Sequence, residues 1–203
     1  MKNKKLLAVL YAILAAAFYA INTPLSKLLL VHVPSTLMAS FLYLGAGVGV
    51  GMMYTFHCKN ERKSERLGKN DILYTIGMIT LDIVAPIFLM LGIKLGNASN
   101  ASLLGNFEIV ATTLIALWIF NEKVSKKFAI GFITLSSIIL SLDSAQGFSF
   151  SYGSLLVLLA TLCWGLENNC TRSISEKSTY EIVTLKGIGS GTGAFIVALI
   201  VGE

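Results

Sequence analysis

Charged side chains are scarce in this chain of 203 residues, where Asp, Glu, Lys and Arg make up 13% against about 25% in soluble domains. Cysteine is also scarce: Cys58, Cys163 and Cys170 form no CxxC pair and no even set, which argues against a disulfide framework or a zinc site. No phosphate-binding loop, dinucleotide fingerprint or HExxH helix occurs, and only two histidines are present. The sequence therefore predicts no cofactor and no metal, and it excludes the soluble-enzyme, disordered and collagen-like classes.

Hydrophobic residues fill 55% of the chain and are collected in long runs. A helix needs about 20 apolar residues to cross a bilayer core of about 30 Å. By that measure seven runs are candidate spans, and the sequence predicts an all-α membrane protein whose surroundings are the lipid bilayer. The predicted spans cover approximately residues 6–30, 35–56, 72–94, 100–120, 128–142, 153–171 and 180–201.

Lysine and arginine predict the orientation of these spans. The formal net charge is +5, but thirteen of the sixteen basic residues lie before the first span or in every second loop. Because short cytoplasmic loops are rich in Lys and Arg, the N-terminus is predicted to be cytoplasmic, and the charge indicates topology rather than nucleic-acid binding. The thirteen are Lys2, Lys4, Lys5, Lys59, Arg62, Lys63, Arg66, Lys69, Lys123, Lys126, Lys127, Arg172 and Lys177.

An internal repeat relates the first and sixth spans at an offset of 145 residues. Residues 15–22 lie over residues 160–167, and Lys27 lies over Arg172. A repeat unit of five spans is odd, so its second copy would enter the membrane upside down, as in the inverted repeats of secondary transporters. We expect a complete first repeat over residues 1–143 and only two helices of the second repeat over residues 144–203.

Four ionisable side chains stand well inside the predicted spans: Asp82, Glu108, Glu167 and Lys186. Each costs about 2.5–3.5 kcal/mol at the centre of a span, so we expect them to face the bundle interior or a water-filled cavity. An ionisable group inside the membrane is a functional-site hypothesis by default. A structural hydrogen bond is the alternative for Asp82 and Glu108. Glu167 and Lys186, on consecutive helices, are expected to form an ion pair; the alternative is a gate or charge-binding subsite with Asn168 and Asn169.

Three amide side chains complete the predicted substrate or proton path. Asn106 is close to Glu108 in sequence, Asn168 follows Glu167, and Asn22 falls opposite Glu167 in the repeat, which suggests one shared cavity. A set of aromatic side chains has two interpretations. They form a wall of the substrate site, or they serve ordinary packing or lipid contact. These are Phe18, Tyr19, Tyr43 and Trp164.

Small residues at every fourth position predict close helix packing. Gly47 and Gly51, like Gly187 and Gly191, match the small-xxx-small spacing that lets two helix backbones approach. At the start of the fourth span, Ser99 or Asn100 is expected to cap the helix.

Three stretches, residues 14–24, 97–122 and 162–172, resemble the EamA-type branch of the drug/metabolite transporter superfamily. The second continues through Gly131 into the fifth span, and the resemblance covers essentially the whole chain. It implies ten helices in two inverted five-helix repeats, of which the last three helices are expected to be missing from this chain.

The resemblance implies a permease or exporter of the cell (inner) membrane that moves a small organic metabolite, such as an amino acid or a drug-like compound, by alternating access. Asp82 and Glu108 add the hypothesis of proton coupling. We expect a small-molecule substrate, homodimerisation, no nucleic-acid partner and no enzymatic activity. Two alternatives stay open: a truncated fragment that does not transport, and an intramembrane enzyme that uses the same acids.

Overall fold

The described part of the chain is a bundle of helices without strands. A computed structural model describes residues 2–57, 61–121 and 151–203. Two short 3₁₀ turns, Lys63–Glu65 and Lys69–Asp71, lie between the second and third helices. The helices are α1 (Lys2–Leu29), α2 (Ser35–His57), α3 (Ile72–Leu95), α4 (Ala98–Gly105), α5 (Phe107–Trp118), α6 (Tyr152–Ser173) and α7 (Thr179–Val201).

Five segments of these residues are long and apolar enough to cross a membrane, which confirms the predicted all-α membrane protein. They are Val9–Leu29, Ser35–Phe56, Lys69–Leu95, Ala98–Trp118 and Thr179–Val201.

The sixth predicted span is present as α6, but it is not one of the five apolar segments. Its sequence carries Glu167, Asn168, Asn169 and Arg172, which lower its hydropathy. The fifth predicted span (128–142) and the boundary at 143/144 lie outside the described residues. The same holds for four of the basic residues that predict the orientation, Lys59, Lys123, Lys126 and Lys127.

The fourth predicted span is interrupted at Asn106, where α4 ends and α5 begins. The backbone N–H of Asn106 donates to the Leu103 carbonyl at 3.1 Å, the i−3 bond of a 3₁₀ turn. The expected helix cap is wrong by two or three residues, because Asn97 rather than Ser99 or Asn100 caps α4. The Asn97 side chain accepts the Ser99 N–H at 2.9 Å.

The predicted close packing of glycines is confirmed between α2 and α7. A Cβ atom added to Gly187 would lie 2.4 Å from the Gly47 Cα, so the two backbones touch directly. Gly191 lies against Leu44, and the Ser40 hydroxyl donates to the Gly191 carbonyl at 2.8 Å. As residue numbers rise along α2 they fall along α7, which makes the two helices antiparallel.

Helix α3 contacts α1, α2, α6 and α7 and carries the site described below. It runs parallel to α7, since Ile79 packs on Gly189 and Ile83 packs on Gly193.

The direction of α6 is opposite to that of α3. Gly92, near the end of α3, touches Gly153 at the start of α6. Gly77, near the start of α3, lies beside Cys170 towards the end of α6.

Helix α1 lies at the edge of the described bundle and runs parallel to α3. Asn22 lines one cavity with Pro86, and further along both helices the Lys27 ammonium donates to the Gly96 carbonyl at 2.8 Å. The ammonium also bonds the Ile93 carbonyl at 2.5 Å. Lys27 therefore occupies the carbonyl end of α3, where a positive charge is favoured.

Two predicted cytoplasmic loops meet at the other end of α3. The Ser178 N–H donates to the Glu65 carbonyl at 2.7 Å, and the Leu67 N–H donates to Glu181 Oε2 at 3.0 Å. The loop over residues 61–71 and the turn before α7 are thus joined at one end of the bundle.

Candidate functional site

Lys186 of α7 lies between two carboxylates inside the bundle. Its Nζ is 2.9 Å from Asp82 Oδ2 of α3 and 3.0 Å from Glu167 Oε1 of α6. Asp82 is 0% exposed and Glu167 is 1% exposed, so both carboxylates are removed from solvent and from lipid. The expected Glu167–Lys186 ion pair is confirmed, and Asp82 is a second partner that the sequence did not reveal.

Close helix packing brings these three charges together. Gly189 of α7 packs against Ile79 of α3, and the Ser190 hydroxyl donates to the Ile79 carbonyl at 3.1 Å. This contact places Lys186, one turn earlier on α7, beside Asp82, one turn later on α3. The flexible lysine stem lets the ammonium bridge both carboxylates while its side chain stays 25% exposed.

Two aromatic side chains hold the second oxygen of Asp82. Tyr43 donates its hydroxyl to Asp82 Oδ1 at 2.9 Å, and Trp164 donates its indole N–H to the same atom at 3.1 Å. Tyr43 belongs to α2 and Trp164 to α6. The carboxylate on α3 is therefore held by α2, α6 and α7 together, a role for both aromatic residues that the sequence did not predict.

Glu167 accepts one further hydrogen bond, from the hydroxyl of Thr171 one turn later on α6. The buried group thus contains two carboxylates and one ammonium. Asn22 and Glu167 were expected to line one cavity, and the structure places them in different surroundings. Asn22 lines a cavity beside α1, whereas Glu167 is buried at the ion pair and is not part of that lining.

A second polar group connects α6 to α5. Asn168 donates to Glu108 Oε1 at 2.8 Å and to Thr112 Oγ1 at 3.1 Å. Its neighbour Asn169 is buried and donates to the Thr112 carbonyl at 3.0 Å. Gly165 makes this approach of α5 and α6 feasible, since a Cβ there would lie 2.8 Å from the Ala111 Cβ.

A cavity of about 300 Å³ opens between α1, α4, α5 and α6. This site cavity contains the predicted residues Asn22, Asn106 and Glu108 in its wall, together with Trp164. The Asn106 side chain also donates to the Ser102 carbonyl at 3.3 Å. The complete lining is Tyr19, Ala20, Asn22, Thr23, Leu89, Ala101, Ser102, Gly105, Asn106, Glu108, Ile109 and Trp164.

One face of α6 connects the ion-pair cluster and the site cavity. Trp164 donates a hydrogen bond to Asp82 and also lines the cavity. Glu167 forms the ion pair with Lys186. Asn168 donates a hydrogen bond to Glu108. These three α6 residues stand at positions i, i+3 and i+4, which share a helix face. That spacing is the sequence signal that could have grouped them.

The predicted path residues therefore form two neighbouring groups. Asp82, Glu167 and Lys186 form the ion-pair cluster, and Glu108 with Asn168 forms the second group. In the described part of the chain, Asn22 and Asn106 form no hydrogen bond with Glu108, but all three line the site cavity. Within residues 2–57, 61–121 and 151–203, no group of three His, Cys, Asp or Glu side chains is arranged to hold a metal ion.

A bundle of apolar helices with charges buried beside a cavity that has polar groups in its wall is typical of solute transporters. The EamA-like transporter family matches residues 6–142, and the chain belongs to this family. Members of the family are transporters, which fits a protein without enzymatic activity.

A relative from Methanothermobacter thermautotrophicus, described as an uncharacterized transporter, is 26% identical over 204 residues. The alignment covers 93% of this chain and 59% of the relative, so the chain spans about three fifths of that protein's length. No solved structure matches the chain. The chain thus combines membership of a transporter family with five described segments long and apolar enough to cross a membrane.

Proposed function

We propose that the protein is a secondary transporter that moves a small organic metabolite across the inner membrane by alternating access. The observation that carries this proposal is the pairing of Lys186 with the buried carboxylates of Asp82 and Glu167, inside the bundle next to the site cavity. Intramembrane charges are costly and are typically retained on substrate or ion pathways. The cavity residues Glu108, Asn106 and Asn22, with Asn168, form the polar part of that path.

The helix directions support two inverted repeats. Helices α1 and α6, which correspond at the offset of 145 residues, run in opposite directions relative to α3. Helices α2 and α7, which correspond at the same offset, are also antiparallel. Opposite directions of corresponding helices are what two inverted copies require.

Basic residues support a cytoplasmic location for one end of the bundle. Arg66, Lys69 and Lys177 belong to the joined loops, and Lys177 lies 3.5 Å from Asp71 in the same region. Cytoplasmic loops are enriched in Lys and Arg, so this end is assigned to the cytoplasm and the N-terminus with it. Homodimerisation remains a prediction.

The two ends of the bundle differ in a way that suits alternating access. At the cytoplasmic end, hydrogen bonds join residues 61–71 to the turn before α7 and the start of α7. A second cavity, of about 370 Å³, shares Ala20 and Ser102 with the site cavity and reaches Ala98, at the opposite end. A solute would enter or leave by this route while the joined loops hold α3 and α7 together at the cytoplasmic end.

Proton coupling would act through the carboxylates. Protonation of Asp82 would remove one of the two negative charges that hold Lys186, and so weaken the contact between α3 and α7. Because Trp164 donates to the same carboxylate and lines the site cavity, a change at Asp82 would reach the substrate.

Asp82→Asn is expected to lower transport of the responsive substrate by about tenfold or more, because hydrogen bonds to a charged group contribute about 1.5–3 kcal/mol. The measurement is uptake and efflux of a metabolite panel by vesicles containing the full-length protein, at two pH values. Glu108→Gln is expected to act similarly, and both variants should lose the pH dependence of the wild type.

Glu176→Gln is the matched control, since Glu176 is exposed in the turn before α7. It should retain both the rate and the pH dependence. If Asp82→Asn and Glu108→Gln also retain both, the proposed path and its proton coupling are wrong.

A further inference from the structure

The charge of the site cavity comes from a single side chain. Of the described residues that line it, only Glu108 carries a charge at neutral pH. The carboxylate is partly buried, and among the described residues only Asn168 donates to it, at Oε1. No donor among the described residues bonds its Oε2 atom.

Among the described residues, no cation forms an ion pair with this carboxylate. The nearby ammonium of Lys186 lies within 3.0 Å of Asp82 and Glu167, and is therefore already shared by two carboxylates. Together with Glu108, the described part of the interior holds three carboxyl groups and one ammonium. A partly buried carboxylate is stabilised by an opposite charge, so an excess of negative charge favours a cationic ligand and disfavours an anionic one.

The rest of the lining suits an organic cation rather than a hydrated metal ion. Tyr19 and Trp164 place aromatic side chains in the wall, and aromatic faces attract ammonium groups. The indole N–H of Trp164 is already used by Asp82, so the ring contributes apolar surface to the cavity. Asn22 and Asn106 add amide groups that can bond the remaining N–H donors.

We propose that the site cavity binds a small organic amine, with its ammonium group at Glu108 and its apolar part against Tyr19 and Trp164. This inference rests on the proposed transport function and names the substrate class of the same site. The volume of about 300 Å³ lies at the lower end of small-molecule sites, which fits an amine of modest size.

Ligand binding can be followed through the fluorescence of Trp164. The chain has two tryptophans, and Trp118 is 77% exposed, so Trp118→Phe leaves one reporter in the cavity wall. The probes are phenethylamine, 3-phenylpropan-1-ol and 3-phenylpropionate, which share a phenyl group and differ in charge. Phenethylamine should change the emission saturably, at a concentration at least about tenfold lower than either other probe, equal to about 1.4 kcal/mol.

Glu108→Gln should weaken the binding of phenethylamine about tenfold and leave the binding of the alcohol unchanged. The preference for the amine would then be lost. Glu176→Gln, which removes a carboxylate from the exposed turn, should keep the preference. Equal binding of the three probes, tighter binding of the propionate, or retention of the preference in Glu108→Gln would overturn the inference.

Transport of the same probes separates this inference from the proposed function. In one outcome, the vesicles transport other compounds of the panel but the protein does not bind phenethylamine. This result would contradict the amine site and leave the transport function supported. Binding of phenethylamine with the Glu108 dependence, but without movement of any compound in either direction, would support the site and contradict the transport function.

Discussion

Lys186→Met is expected to lower the free energy of unfolding by about 3–5 kcal/mol, the cost of breaking a buried ion pair from one side. The substitution leaves Asp82 and Glu167, both almost completely buried, without the ammonium that lies 2.9 and 3.0 Å from them. Methionine has a similar length and is apolar, so the packing of the lysine stem is largely kept. The loss would therefore come from two unbalanced carboxylates.

Thermal unfolding in detergent measures this effect, with an expected fall in Tm of about 10 °C for a chain of this size. Adding Asp82→Asn and Glu167→Gln to Lys186→Met should recover most of the loss, because neutral amides no longer need the cation. Lys94→Met is the matched control, since Lys94 is exposed at the end of α3, and it should change Tm little. An unchanged Tm in Lys186→Met would show that the three charges are not paired inside the protein.

Gly187→Ala is expected to lower the free energy of unfolding by about 2 kcal/mol or more, although alanine is the better helix former. Its methyl group would lie 2.4 Å from the Gly47 Cα and 2.9 Å from the Tyr43 carbonyl oxygen. Both are backbone atoms that cannot rotate away. Helices α2 and α7 would have to separate along their whole contact, which carries Tyr43 and Lys186 away from Asp82.

Gly45 and Gly49 provide controls on the same helix as Gly47, because a Cβ at either position meets nothing within 4 Å. Gly45→Ala and Gly49→Ala are expected to raise stability by up to about 1 kcal/mol through helix propensity. Thermal unfolding and the yield of folded protein in detergent measure these opposite changes in stability. If the Gly187→Ala variant were as stable as the Gly45→Ala variant, the direct backbone contact between α2 and α7 would be contradicted.

The positions of the helices could be predicted from the sequence because the length of an apolar run is set by the bilayer. The boundaries of α2 and α7 were each predicted to within one residue. The break at Asn106 was missed, although Gly105 directly before it was a signal for an interruption of the helix. Helix α6 was predicted as a span, but it is not one of the five apolar segments, because its polar residues lower its hydropathy.

Parts of the candidate site were predictable and parts were not. Glu167 and Lys186 lie on consecutive helices, so their pairing follows from sequence distance and depth. Asp82 lies 104 positions before Lys186, and hydropathy gives the depth of a residue but not which helix packs against it. The packing of Gly189 on Ile79 decides that contact.

Aromatic residues were the other failure of sequence reasoning. The hydrogen bonds of Tyr43 and Trp164 to Asp82 could not be inferred, because each residue serves equally well in packing, in lipid contact or as a donor. The spacing of Trp164, Glu167 and Asn168 does indicate a polar face on α6. The role of that face follows only from the partners of these residues on three other helices, α3, α5 and α7.

Cysteine labelling tests most directly whether the helices cross the membrane with the joined loops on the cytoplasmic side. In a variant whose three native cysteines are replaced by serine, single cysteines are introduced by Ser64→Cys, Ser175→Cys, Val31→Cys or Ser99→Cys, all at exposed positions. A maleimide that does not cross membranes should label the first two only in inside-out vesicles and the last two only in right-side-out vesicles. Labelling of Ser64→Cys and Ser175→Cys from opposite sides would separate α3 from α7 and contradict the buried site between them.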